Sequence, residues 1–214
     1  MDRGLASVMA ETSKPPLAKR YHHGDLERAL LAAGRRLLER DGLTALSMRG
    51  LAREAGVSAT APYHHFKDHA ALLYAIGREG SADLAAALRD ARDTHPYGRD
   101  QMIAVSVAYV EFALANPGMY QLMSDTTRLR DSVPPEDDPE GAIPRLIGQA
   151  FSGALPPTHD DVDRRLRNAL IWATLRGLVD VAQFRFADPL KDLLGSERAF
   201  LEAVLDRIPM AREA

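Results

Sequence analysis

The chain has 214 residues, no cysteine and a formal net charge of −3. That length buries a sizeable core, either in one continuous helical body or in a small domain joined to a larger one, and the missing thiols exclude a disulfide framework and thiolate zinc sites. The first residues, MDRGLASVMAETSKPPLAKR, interrupt any signal-like apolar run with charges and prolines, and no later stretch reaches about 18 uncharged apolar residues. A soluble, cytoplasmic protein without a membrane partner is expected.

The charge is unevenly placed. Residues 1–80 hold 12 Lys+Arg against 9 Asp+Glu, whereas residues 81–214 hold 15 against 21. Five of the seven histidines, His22, His23, His64, His65 and His69, lie at the basic end. Protonated imidazoles there would add to the attraction for a polyanion, and the acidic remainder would repel it.

In chain order, residues 1–20 read as a solvated, disordered tail with Pro15 and Pro16 in it. From Asp25 to Asp41, the residues Leu26, Ala29, Leu30, Ala33, Leu37 and Leu38 make a helical stripe that Gly42 ends. Ser47 can cap a second helix with Met48, Leu51, Ala52 and Ala55 on its apolar face. Gly56 supplies the positive φ that closes it, Val57 fills the angle, and Ser58 caps a further helix of about two turns, Ala59 to Phe66. Two short helices at a fixed angle around a GVS turn are a helix-turn-helix, whose second helix fits the DNA major groove. A connecting helix is predicted over residues 69–92 through Leu72, Leu73, Ile76, Leu84 and Leu88, with Gly77 and Gly80 weakening its middle.

After the THPYG turn, Asp100 to Ala115 is apolar nearly all round, which places it at the centre of a bundle. Asn116-Pro117-Gly118 breaks it before a short helix carrying Met119, Tyr120, Leu122 and Met123. Residues 125–141, with Val133-Pro134-Pro135 and the acids Glu136, Asp137 and Asp138, read as a flexible loop. Further helices are predicted near Ala142–Ala154, over Asp160–Phe186, which Pro189 ends, and near Ser196–Ile208. The architecture is therefore all-α with about nine helices: a helix-turn-helix domain at 21–68, a connecting helix at 69–92, and a larger helical domain at 93–214.

The segment LSMRGLAREAGVSATAPYHHF, with YHHGDLERALLAAGRRLLERDG before it and KDHAALLYAIG after it, resembles the DNA-binding domain of the tetracycline-repressor (TetR) family of bacterial transcription regulators. The GVS turn, Tyr63, the pair His65 and Phe66, and the pair Leu72 and Leu73 fall in that family's register. His69 stands where the family usually has lysine, with Lys67 two positions earlier. ALIWATLRGLVDV also resembles a Trp-His-Gly signature of one TetR subgroup, keeping Trp172 and Gly177 and placing Arg176 where histidine is expected. The resemblance implies a ligand-responsive regulator, usually a repressor, that binds palindromic double-stranded DNA as a homodimer, its long helix and last helix pairing with their copies.

Ser47, Arg49, Ser58, Ala59, Thr60, Ala61, Tyr63, His64 and Lys67 are the candidate DNA-binding residues. For a small-molecule effector the candidate pocket residues are Tyr109, Phe112, Met119, Tyr120, Met123, Trp172 and Arg176, which also read as ordinary core. Glu111 and Arg176, charges within apolar helices, either line that pocket, pair with each other, or reach solvent. Neither cofactor nor metal is expected: His65 and His69 have no carboxylate or thiolate companion at ligand spacing. Catalysis is not expected either, because no phosphate loop, nucleophile elbow or HExxH occurs. A constitutive or architectural DNA-binding protein, and a small-molecule-binding protein without DNA binding, remain as alternatives.

Overall fold

The computed structural model describes residues 23–128, 138–157, 159–184 and 187–207. Among these are nine α-helices, two 3-10 turns and no strand. The helices are α1 His23–Asp41, α2 Met48–Ala55, α3 His69–Asp93, α4 Arg99–Ala115, α5 Pro117–Arg128, α6 Pro139–Ser152, α7 Asp161–Gln183, α8 Asp188–Leu194 and α9 Glu197–Asp206. The predicted amino-terminal tail and the Val133–Asp137 stretch lie outside the described residues.

Local chemistry sets the first boundaries. The Ser47 side chain accepts a hydrogen bond from the Gly50 N–H at 3.0 Å, and so occupies one of the donors that the first turn of α2 leaves free. At the other end Gly56 takes φ 69°, and the Val57 N–H reaches back to the Ala52 carbonyl at 2.9 Å, closing the helix in a Schellman-type turn. Ser47→Ala should therefore lower stability by about 1 kcal/mol without disturbing the fold, as read by chemical denaturation.

The segment after the turn departs from expectation. Instead of a two-turn α-helix over Ala59–Phe66, it forms a 3-10 turn over Ala61–His64, entered from Thr60 rather than from Ser58. Its bonds run from the Ala61 N–H to the Ser58 carbonyl, from Tyr63 to Thr60 and from His65 to Pro62, each three residues back. Pro62 explains the tightening: it has no N–H to give Ser58, and it disfavours α geometry at the residue before it. Phe66 nevertheless anchors the segment in the core, as its position predicts.

The head core is Leu30, Ala33, Leu37, Leu38, Leu51, Phe66, Leu72 and Ile76. Burying one such leucine stabilises by roughly 1.5–3 kcal/mol, which is why three short elements can hold their angles. Outside, the Arg36 and Arg40 guanidinium groups bond the Glu54 carboxylate at 3.2 and 3.1 Å, tying α1 to α2. Those two bonds also hold the Glu54 carboxyl below its ordinary range.

The body is built around α3 and α4. The α4 helix buries residues all round its axis, from Gln101 to Ala113, and packs against α3, α5, α6, α7 and α9. A helix with no polar face requires that many neighbours. Its one interior amide, Gln101, donates to the Arg92 carbonyl at 2.8 Å and so satisfies the end of α3. Gly77 and Gly80 do not interrupt α3; a Cβ at Gly80 would lie 2.4 Å from the Met119 sulfur, so the bare backbone is what lets α5 approach.

The α8 helix is a second departure. Pro189 does not merely follow the long helix: α7 ends at Gln183, and Pro189 sits in the first turn of a new helix, where its missing N–H costs nothing. The Lys191 ammonium donates to the Ala182 carbonyl at the end of α7 and to the Glu197 carboxylate at 3.0 Å, fixing α8 between α7 and α9. The number of α-helices agrees with expectation only because this extra helix replaces the one lost after Ser58.

Large apolar side chains remain outside. Val162, Leu166 and Leu170, one turn apart along α7, are each about two-thirds exposed, and Leu193 of α8 is 80% exposed beside Leu190 and Leu194. By contrast Phe200, Leu201 and Leu205 of α9 are buried. Among the described residues no single helix is long and apolar enough to cross a membrane.

Candidate nucleic-acid interface and internal cavity

The predicted contact residues lie at the start of α2, on the turn that follows it and just before α3. Ser47, Arg49, Ser58, Ala59, Thr60, Tyr63, His64 and Lys67 are exposed and Ala61 is half-buried. Tyr63 keeps 56% of its surface in solvent, so its phenol is free to meet a partner. The hydroxyls of Ser58 and Thr60 lie 3.2 Å apart and bond each other. No Asp or Glu occurs between Ala55 and Lys67, and Glu54 is already neutralised from behind by Arg36 and Arg40. Asp68, next to Lys67, is the exposed N-cap of α3 and accepts from the Ala71 N–H at 2.8 Å, so the cations available to an anion are Arg49, Arg53 and Lys67 beside one capping carboxylate. Arg53, exposed on α2, belongs with them and was legible as part of that helix's polar face.

The histidines separate into two groups. His69 Nε2 donates to the Leu46 carbonyl at 2.6 Å, bracing the segment that enters α2, and His65 Nδ1 lies 3.8 Å from the Glu27 carboxylate in a nearly buried position. His64 is the exposed imidazole of the turn. His69 thus serves packing, and Lys67 is the exposed cation next to it.

Deeper in the body, α3, α4, α5, α6 and α7 enclose a cavity of about 120 Å³. Of the predicted pocket residues Tyr109, Tyr120, Met123, Trp172 and Arg176 line it. Phe112 does not; it faces an outer hollow with Ala108 and Arg198, and Met119 is packed on Gly80. Glu111 joins Arg198 of α9 at 3.3 Å rather than Arg176. Sequence reading missed Ser81, Leu84, Ser124, Ile143 and Pro144 in the wall. Ser81 carried a signal, a hydroxyl within the buried stripe of α3, and Ser124 another, one turn beyond Tyr120.

The Tyr109 ring meets Tyr120 and Trp172 edge to face, with centroids 6.0 and 6.1 Å apart, and its hydroxyl donates to the Tyr120 oxygen at 3.3 Å. Burial pushes the Tyr109 phenol well above its ordinary range, and the bond to Tyr120 pushes the same way, so it stays a neutral donor. Arg176 Nη2 lies 3.5 Å from Ser124 Oγ, a marginal bond, and forms no ion pair among the described residues. The cavity thus combines an aromatic and aliphatic wall with hydroxyls and one guanidinium.

The wall also touches the head. At the start of α5, Gly118 lies so close to α1 that a Cβ there would be 3.0 Å from the Leu38 carbonyl oxygen. Within the next two turns the same helix supplies Tyr120, Met123 and Ser124 to the cavity.

Two family models match the chain. One, described as bacterial regulatory proteins of the tetR family, covers residues 30–76; the other, a tetracyclin repressor-like C-terminal domain, covers residues 102–208. The chain is 29% identical over 128 residues to the HTH-type transcriptional regulator Rv1816 of Mycobacterium tuberculosis, an alignment spanning 59% of this chain and 54% of that protein. It thus spans about half the length of the curated relatives it matches. A protein with unknown function from Rhodococcus sp. RHA1 is 33% identical, with a TM-score of 0.68 over 88% of this chain and 96% of that one. BioQ, solved with its double-stranded DNA operator, shares the fold at 24% identity and a TM-score of 0.56, over 90% of this chain and 100% of that one.

Proposed function

Because the chain belongs to the TetR family of bacterial transcription regulators, we propose that it is a ligand-responsive repressor that binds a palindromic operator as a homodimer. Residues 21–68 bind DNA, residues 69–92 connect, and residues 93–214 hold the effector and dimerise. The observation that carries this reading is α5, which rests on α1 of the head at Gly118 and walls the cavity at Tyr120, Met123 and Ser124. Occupancy of the cavity can then bias the head directly as well as through α3. The two heads of a dimer must enter successive major grooves about 34–36 Å apart, so a ligand favouring another separation releases DNA at a differential affinity of a few kcal/mol.

Between Ala59 and His65 there is no Arg, Lys, Asn or Gln, so the common bidentate contacts to guanine and adenine are absent from this turn. Thr60 and Ala61 touch thymine methyls, Tyr63, His64 and Lys67 hold phosphates, and Arg49 assists; much of the specificity comes from DNA shape. Tyr63→Phe and Lys67→Ala should each weaken binding to a similar extent across operator variants, and Lys67→Ala should reduce the salt slope by about 1. A binding series at several salt concentrations checks both, and a changed base preference in either variant would contradict the phosphate assignment.

The second copy docks on the exposed leucine face. The α7 stripe of Val162, Leu166 and Leu170 is an apolar surface that a symmetric partner would cover, and Leu190, Leu193 and Leu194 of α8 form a second exposed apolar group. The helix beside α7 in that bundle is therefore α8, since α9 spends its apolar residues on α4.

The direct test is a gel shift of the DNA flanking the gene, followed by a screen for small molecules that reverse it. A shifted palindrome with release by a compound supports the proposal. A shift that no compound reverses favours a constitutive DNA-binding protein instead, and no shift removes the DNA reading.

A further inference from the structure

Resting on the reading of the cavity as the effector site, we propose that its ligand is a small aromatic monocarboxylate, held by Arg176 at its anionic end and by the Tyr109–Trp172 wall around its ring. The charge argument comes first. Arg176 is half-buried, its one described contact is the 3.5 Å approach to Ser124, and none of the residues lining the cavity is acidic. A guanidinium presents five donors in a planar fork, matched by the two oxygens of a carboxylate. One cation in an otherwise neutral wall balances one negative charge; a phosphate dianion would leave the excess facing Leu84, Ile143 and Trp172.

Shape and size narrow the class. Three rings meet at the wall, two of them edge-on to Tyr109, and a flat ligand can continue that packing in the same offset or edge-to-face manner. A cavity of about 120 Å³ corresponds to about four waters at their liquid volume of roughly 30 Å³, space for one ring with a short acidic arm. The Ser124 hydroxyl accepts from the guanidinium and keeps its own proton to donate to the carboxylate.

Trp172 is the chain's only tryptophan, so its fluorescence reports occupancy directly. The full-length protein, without DNA, is titrated with benzoate and phenylacetate and with the uncharged benzamide and phenylacetamide. The acids should saturate the signal at concentrations at least about tenfold lower than their amides, and Arg176→Gln should erase that preference while circular dichroism stays unchanged. Equal affinity for acid and amide, failure of both acids to saturate, or a preference that survives in Arg176→Gln overturns the proposal. If Arg176→Gln does not fold, the acid-to-amide ratio of the unaltered protein decides alone. Because no DNA is present, these outcomes are separate from the gel shift that tests the regulator reading.

Discussion

Replacing Leu166 and Leu170 together by aspartate should leave each protomer folded, convert the protein to monomers, and lower operator affinity by about a hundredfold or more. In the single chain some two-thirds of each side chain is exposed, so the change removes little intramolecular packing. In a dimer the same positions would be buried, and carboxylates brought against their copies would each meet a desolvation cost and like-charge repulsion. Operator binding then falls because the second half-site loses the high effective concentration that tethering provides. Light scattering reads the mass, circular dichroism the fold, and a gel shift the affinity. A double variant that remains dimeric would move the interface off α7, and one that dissociates yet binds DNA normally would remove the need for two heads.

Gly118→Ala should be the more damaging of two opposing effects. Alanine is the better helix former by at most about 1 kcal/mol, and less in a first turn. Against that, the added methyl would sit 3.0 Å from the Leu38 carbonyl oxygen and 3.3 Å from two side-chain carbons of the same residue, and backbone yields less readily than a side-chain tip. Overpacking of this kind typically costs about 1–3 kcal/mol. The contact joins head to body, so the expected result is altered operator affinity together with a weakened ligand response, while the Trp172 fluorescence still reports ligand entering the cavity. Unchanged operator affinity and unchanged release would assign the whole coupling to α3.

Much of this was legible in the residues. Ser47, Gly56 and Phe66 fixed the head because a cap, a left-handed glycine and an aromatic anchor each have few alternative uses. The even hydrophobicity of Arg99–Ala115 likewise predicted a central helix, and the structure surrounds it with five others. Proline was misread twice for one reason. Its missing donor is tolerated in a first turn and disfavours α geometry just before it, so Pro189 began a helix where it was read as a stop, and Pro62 tightened a turn expected to be a helix. Five cavity residues were found from their type and placed by the fold. Phe112 and Met119 have the same character but face elsewhere, because which side of a central helix meets a gap depends on neighbours distant in sequence.

The short α5 helix carries a mechanical consequence. From Gly118 to Ser124 it runs about 9 Å at 1.5 Å per residue, with a backbone bearing at one end and the cavity at the other. A strut that short converts a 1 Å push at Ser124 into a rotation of about 6° about its footing on α1. Leverage falls as the strut lengthens, so an extra helical turn in α5 between Gly118 and Ser124 would cut the rotation for the same push from about 6° to about 4°.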